Sequence, residues 1–419
     1  MSTLPENAPA ATVAASIDRS ADASGSKRDE RRALGVACGA HALHDGYTDL
    51  IWVALPIWQA EFALSYAATG FLRTMFSGTM AIFQIPASAL AERFGGATVL
   101  AVGTALAGLC YALAGVSAGF ALLVGALLVG GLGAATQHPL ASALVARAFA
   151  GPRAITALGT YNFAGDIGKM ALPAAATALL LIMPWRPAYG LLGLIGIAAG
   201  FAVFVLTPRF APERSPDDDH AAPATDTAAR RARFERGYFL LLAIAAIDSA
   251  TRAGFLVFLP FLLIAKDASV TTAGFALTLV FVGGAAGKLS CVWISARFGV
   301  IGTICITEGL TACGMLAVLL LPLEAALLLL PLFGIVLNGT SSATYGSVPQ
   351  FAQAAERNRA FSWFYTGTLG AGALAPTASG LAGDFVGIPT AVTIMAAVVL
   401  LTIPLAWSLR AALKRALAA

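Results

Sequence analysis

Leu90-Ala91-Glu92-Arg93-Phe94-Gly95 closes one apolar run, and Ile294-Ser295-Ala296-Arg297-Phe298-Gly299 closes another 204 residues later. A hexapeptide that returns with its Arg-Phe-Gly intact marks a duplicated architecture. Other positions agree: Ala135-Thr136 with Pro139 is echoed by Ala343-Thr344 with Pro349, and Arg153-Ala154 by Arg359-Ala360. The repeat sits in a chain of 419 residues that is 58% hydrophobic and 11% charged, with a mean hydropathy of +0.80. A soluble chain carries about 25% charged residues to solvate its surface. An ordinary cytosolic enzyme is excluded, and lipid is the solvent for most of this chain.

Working outward from the repeat, the apolar runs are each about 20 residues or longer, enough to cross about 30 Å of hydrocarbon as a helix. The spacing predicts spans over 34–58, 66–90, 97–115, 120–146, 154–182 and 187–207, then over 237–265, 270–296, 300–322, 324–350, 360–383 and 388–409. A polar stretch, 208–236, containing Asp217, Asp218, Asp219, Arg230, Arg231 and Arg233, separates six from six. The expected organisation is an all-α integral membrane protein of 12 transmembrane helices: a disordered tail (1–32), a six-helix bundle (33–207), a linker (208–236), a second bundle (237–410) and a short tail (411–419). Residues 1–32 lack the apolar core of a signal peptide.

The basic residues give an orientation. With both termini on one side, Arg186 and Lys266 alone fall on the other, and Arg73, Lys169, Arg252 and Lys288 fall inside the membrane. So lopsided a split is the positive-inside pattern, which predicts cytoplasmic termini and a multi-pass protein of the inner (plasma) membrane. It also accounts for the net charge of +4 without nucleic acid. The five cysteines lie in apolar runs with no metal-ligand or disulfide spacing and read as packing residues. No cofactor motif is present, and G-x-x-x-x-G-K-[ST], the mark of an ATP motor, is absent.

Ser88-Ala89-Leu90-Ala91-Glu92-Arg93-Phe94-Gly95-Gly96-Ala97 resembles the major facilitator superfamily signature G-x-L-A-D-R-x-G-R-K, keeping the Leu, Ala, acid, Arg and Gly and departing at Ser88, Gly96 and Ala97. The resemblance extends from about Gly35 onward. Within the superfamily the chain is similar to the fosmidomycin-resistance type of exporters, through the His-bearing first helix ending in Leu55-Pro56, Gln137-His138-Pro139, and Tyr161-Asn162-Phe163-Ala164-Gly165-Asp166-Ile167-Gly168. It implies two bundles rocking about a midplane site, with Glu92, Arg93, Gly95, Arg297 and Gly299 serving conformational gating.

An ionisable group in the bilayer costs about 2.5–3.5 kcal/mol on insertion scales and is a functional candidate until a partner explains it. The intramembrane acids are Asp45, Asp49, Asp166, Asp248 and Glu308. On the first helix, spacings of three and four put His41, Asp45 and Asp49 on one stripe with His44 beside it. The repeat sets Asp248 of the seventh helix opposite Asp45. These five are the proton-coupling candidates; a structural lock between helices, or a metal site at His41-His44-Asp45-Asp49, is the competing reading. Arg73, Asn162, Asp166, Lys169 and Arg252, with Trp52, Tyr161, Trp363 and Tyr365 as aromatic walls, are the substrate-binding candidates. Asp166–Lys169 and Asp248–Arg252 can equally be internal ion pairs. Lys288 and Glu308 lack a partner within four residues; cross-helix pairing, or snorkelling by Glu308, would serve them. His138 either hydrogen-bonds a carbonyl freed by Pro139 or joins a proton relay. The glycine patterns Gly130-Gly131-x-Gly133, Gly283-Gly284-x-x-Gly287 and Gly367-x-x-Gly370-x-Gly372 offer faces for close packing or sliding.

The expected function is secondary transport driven by a proton gradient: export of a drug-like or anionic small molecule, or alternatively uptake of a small organic anion, with a metal or metal-chelate carrier as a minor alternative. The partners implied are a small-molecule substrate, protons and the lipid bilayer, and the expected assembly is a monomer. An intramembrane enzyme would gather its reactive groups near one face, whereas these are spread over both halves.

Overall fold

The structure is a computed structural model and describes residues 10–149, 151–208, 236–352 and 357–418. Its first half contains α1 (Ala10–Phe62), α2 (Tyr66–Phe94), α3 (Gly96–Gly115), α4 (Phe120–Ala134), α5 (Gln137–Ala148), α6 (Pro152–Leu180) and α7 (Trp185–Leu206). Its second half contains α8 (Arg236–Ile264), α9 (Val270–Leu320), α10 (Leu323–Ser347), α11 (Arg357–Val386), α12 (Ile388–Leu400) and α13 (Thr402–Ala418). Twelve spans result, because α4 with α5 and α12 with α13 each make one span and α9 makes two. Eight are long and apolar enough to cross a membrane; those formed by α1, α2, α6 and α11 fall short on apolarity. Three of these four carry the intramembrane charges of the first half.

The duplication reaches the backbone. α2 and the first arm of α9 both start on a serine N-cap, Ser65 accepting from the Ala68 amide and Ser269 from that of Thr272. Each is preceded by a residue of positive φ, Ala63 and Asp267, and each ends on a glycine of positive φ, Gly95 at 86° and Gly299 at 68°. All three pairs keep the 204-residue offset. At Gly95 and Gly299 the chain reverses between two spans in a conformation that a Cβ disfavours, which is why the motif ends in glycine in both halves.

Two spans break where proline removes a backbone donor. The predicted helix over 120–146 is interrupted between Ala134 and Gln137, four residues before Pro139, and the last span is interrupted at Leu401, ahead of Pro404. α1 is helical from Ala10 onward, within the tail expected over 1–32. Its alanine-rich segment favours helix over coil. Residues 1–9 of that tail and 209–235 of the linker lie outside the described residues, while 411–418 continue α13.

The two bundles share an apolar core at one end. At the end carrying the α1–α2, α3–α4, α6–α7 and α8–α9 turns, a single apolar core runs through both bundles, joining Leu50, Trp58, Phe76 and Tyr189 to Phe255, Phe258, Leu259 and Phe333. At the opposite end the core divides: Ala33, Ala37, Leu100 and Val145 pack in the first bundle, Tyr238, Leu241, Phe364 and Leu409 in the second. The closed end is sealed by α2 on α11. Gly70 lies against the Pro376 carbonyl and Gly380 against that of Tyr66, Thr377 donates to Thr74 at 2.8 Å, and Asp384 accepts from the Tyr66 and Ala67 amides at 2.8 and 2.9 Å. The last contact caps the N-terminus of α2 with a carboxylate from the other bundle. α6 meets α9 alongside, with Gly274 against Thr177. The molecule is therefore closed at one end and parted at the other.

The glycine patterns singled out in the sequence pack within bundles. Gly131 lies on Phe76 and Thr79, Gly133 on the Gly103 carbonyl, Gly283 on Pro331 and Gly287 on Ile335. The glycines on which the bundles meet are instead Gly70, Gly274 and Gly380.

Candidate functional site

The charged stripe of α1 lies where the common core gives way to the two separate ones. His41, His44 and Asp45 are all more than nine-tenths buried. Helical spacing brings His41 Nε2 to 3.5 Å from Asp45 Oδ1, and His44 Nε2 lies 3.7 Å from the same oxygen. The other oxygen, Oδ2, meets Lys169 Nζ of α6 at 3.4 Å. His41 Nδ1 is 2.9 Å from the Tyr161 carbonyl oxygen, and the Tyr161 ring stacks on the imidazole with centroids 4.1 Å apart. Nδ1 thus faces the carbonyl as a donor, and Nε2 faces the Asp45 carboxylate.

Glycine makes this approach possible. On α6, Gly168 lies directly on the Ala42 carbonyl, and a Cβ on Gly165 would stand 2.6 Å from Asp45 Oδ2 and 2.7 Å from His41 Cε1. Gly168→Ala forces α1 and α6 apart, with an overpacking cost of about 1–3 kcal/mol, and draws Lys169 off Asp45. The expected result is a lower melting temperature and loss of transport, whereas Gly159→Ala, on the same helix with open space around it, leaves both near wild type.

One turn further along α1, Asp49 accepts from Trp52 Nε1 at 3.1 Å. Arg73 is buried, donates to the Thr48 carbonyl at 2.8 Å and lies 4.4 Å over the Trp52 ring. The guanidinium and the indole, both expected at the substrate, contact each other and α1 in this structure.

The pair Asp166–Lys169 does not form. The two residues lie on neighbouring but distinct faces of α6, so that Lys169 reaches α1 while Asp166 reaches α9, where Lys288 Nζ meets both its oxygens at 2.6 and 2.7 Å. Asp166–Lys288 is a bridge between bundles, the cross-helix partner that Lys288 lacked in the sequence. Asp248–Arg252 is likewise absent as an ion pair among the described residues: Arg252 Nη1 lies 3.4 Å from Asn338 Oδ1. Asp248, Arg252, Tyr345 and Tyr365 line a cavity of about 130 Å3 with the hydroxyls of Ser249, Ser341, Thr344 and Thr368. Glu308 is fully buried, so the snorkelling expected of it does not occur.

Asn162 is exposed, and Trp363, 55% exposed, stands apart from the cluster. Glu92, Arg93 and Arg297 are exposed and form no ion pair among the described residues. His138 was left outside the sequence candidates for proton coupling, yet its ring lies 5.3 Å from that of His41 and 4.7 Å from that of His44. The break at Pro139 turns it toward α1, and the adjacent Pro was the available signal. Asp384 had no signal, because its partners are backbone amides more than 300 residues away.

One ligand atom each from His41, Asp45 and His138 fall within 4.8 Å of one another. Lys169 already supplies Asp45 with a cation. The chemistry of the set suits a proton and an ammonium better than a metal.

A helical membrane protein of two pseudo-symmetric six-helix bundles, with buried charges gathered where their common core divides, has the construction of a transporter that exposes a central site to alternate faces. The chain belongs to the Major Facilitator Superfamily, whose family model matches residues 37–260 and 239–417. It is not an enzyme, and it is a multi-pass membrane protein. It is 27% identical over 148 residues to a probable L-galactonate transporter of Escherichia coli, a match covering 35% of this chain and 33% of that protein. It is 25% identical over 137 residues to an uncharacterised MFS-type transporter of Mycobacterium tuberculosis, covering 33% and 24%. The chain thus spans a third or less of the curated relatives it matches. Among solved structures, a bacterial homolog of the human lysosomal transporter Spinster, inward-facing and unoccupied, superposes with a TM-score of 0.76 at 16% identity over 92% of this chain and 98% of that one. A D-xylose–proton symporter does so with 0.74 at 14% over 90% and 97%. These two likenesses are of fold.

Proposed function

We propose that the protein carries a small organic anion together with a proton, through a crevice that opens alternately to the two faces of the membrane. The observation that carries this reading is the contact of Lys169 with Asp45 at 3.4 Å. An anion in the crevice competes with Asp45 for the ammonium. Once Lys169 turns to the anion, Asp45, 8% exposed, is left as a buried charge without a counter-charge, and taking a proton costs less than staying ionised. Conversely, a protonated Asp45 releases Lys169 to the anion. Each ligand therefore raises the affinity for the other, as linkage requires.

Charge balance gives the coupling. Empty, the site holds one carboxylate and one ammonium; loaded with both, it holds a carboxylic acid and an ammonium–anion pair. Both states are neutral. The two half-loaded states carry a net charge, which is penalised in a low-dielectric site during reorientation. His41 and His44, within 4 Å of Asp45 Oδ1, are placed to pass the proton, with His138 beside them.

Arg252 and Ser249 of the neighbouring cavity add donors, and Ser341, Thr344 and Thr368, whose protons go to helix carbonyls, add acceptors for the hydroxyls of a polyhydroxylated acid; the similarity to a probable L-galactonate transporter agrees with that chemistry. Export in the manner of the fosmidomycin-resistance exporters would require proton and substrate to exclude each other; for an anion, the Asp45–Lys169 pair does the reverse. The gathering of lysine and arginine at the end of both termini supports a cytoplasmic position for that end in an inner (plasma) membrane, and the proposed crevice then faces inward.

The test is transport into proteoliposomes with an imposed pH gradient, over a panel of organic anions led by sugar acids. Wild type accumulates an anion on the alkaline side. Asp45→Asn, a mimic of the protonated state, loses accumulation while retaining exchange of labelled for unlabelled anion. Full gradient-driven accumulation by Asp45→Asn refutes the assignment.

A further inference from the structure

A second pair of acids lies in the other bundle, away from α1. Asp248 of α8 and Glu308 of the second arm of α9 stand side by side; the first is 6% exposed and the second 0%. Neither carboxylate oxygen of Glu308 has a hydrogen-bond partner among the described residues. Thr307 donates to the Thr303 carbonyl at 2.8 Å and shares a 2.7 Å contact with Thr340, the neutral hydroxyl that faces Glu308 and brings it no countercharge. Arg252, the cation facing both acids from α8, points Nη1 at Asn338. Tyr345 of α10 and Cys291 of the first arm of α9 face Asp248 and bring no further positive charge. Two carboxylates and one guanidinium leave an excess negative charge in a buried, low-dielectric place, and two adjacent carboxylates do not both ionise there. The missing partner of Glu308 is a proton.

We propose that Asp248 and Glu308 form a second proton-binding site, sharing one proton as a carboxyl–carboxylate hydrogen bond and exchanging it with the cavity of about 130 Å3 that Asp248 and Arg252 line. Asp248 is the outer member, in contact with the cavity, and Glu308 the inner one. The proton bound is an ordinary hydronium-derived proton; no other bond forms or breaks. The site borrows from the proposed proton coupling only its use in transport, because the pair holds its proton whether or not Asp45 does.

Infrared difference spectroscopy of the purified full-length protein at neutral pH reads this directly. Wild type shows a protonated-carboxyl C=O band that shifts in D2O, which marks exchange with solvent. Glu308→Gln and Asp248→Asn each remove one and the same band, the double variant removes no more, and Glu308→Asp keeps a band at a shifted frequency. Asp45→Asn leaves it in place, so this site and the Asp45 reading fail separately. Should Glu308→Gln not fold, Asp248→Asn reports on the same shared proton. A carboxyl spectrum unchanged in both single variants overturns the proposal, as does loss of the band when sodium replaces choline at constant pH, which would make the pair a metal-cation site.

Discussion

Lys169→Ala leaves Asp45 buried without its cation, and the protein is expected to lose both stability and anion transport. Removing one partner of a buried ion pair costs about 3–5 kcal/mol. Lys169 is 37% exposed, and solvent screening reduces the effect to about 2 kcal/mol. In transport, the same loss of interaction with the anion corresponds to a fall of about 30-fold in apparent affinity. The double variant Asp45→Asn/Lys169→Gln removes both charges and is expected to melt above Lys169→Ala while remaining inactive in gradient-driven uptake. A double-mutant cycle on melting temperature and on anion binding checks both parts. Independent, additive effects of the two substitutions would dissolve the pair as the functional unit.

The second large effect is at the closed end. Asp384→Ala removes two charge-assisted hydrogen bonds and the countercharge at the start of α2. Such bonds contribute about 1.5–3 kcal/mol each; the site is exposed, and about 1–2 kcal/mol in all is the discounted expectation, roughly a tenfold shift in population toward opening at this end. Val116 and Phe385 are exposed positions near that end, one in each bundle, and spin labels there report the separation. The variant's distance distribution is expected to gain a longer component absent from the parent. Identical distributions would mean that the cap contributes nothing to closure.

Much of this architecture was legible in the residues. Span positions follow from apolar run length, and the duplication follows from Arg93-Phe94-Gly95 and Arg297-Phe298-Gly299, whose glycines carry the left-handed backbone that the turn needs. Residues His41, Asp45 and Lys169 were identified because charge is costly in lipid. Their partners were not identified, for a geometric reason. Sequence spacing reports neighbours on one helix, whereas α6 lies between α1 and α9 and directs Lys169 to one and Asp166 to the other. Spacing suggested Asp166–Lys169 and Asp248–Arg252, and tertiary packing replaced both. The contact of Arg73 with Trp52 was likewise invisible in the spacing, because it joins α2 to α1.

The bundle contacts were the least legible. Gly70 and Gly274 stand alone, and Gly380 has only Gly383 beside it, without the adjacent pairs that drew notice to Gly130-Gly131 or Gly283-Gly284, yet theirs are the faces on which the halves meet. A clustered run serves packing along one long interface within a bundle; a single glycine suffices where two helices cross once.

The central claim is that proton and anion assist each other's binding at Asp45 and Lys169. It is tested most directly by adding the anion identified in the transport panel to purified protein in weakly buffered solution and following the pH. The account predicts uptake of about one proton per anion bound, lost in Asp45→Asn. Release of protons on binding, or binding with no change in pH in the wild-type protein, would contradict it.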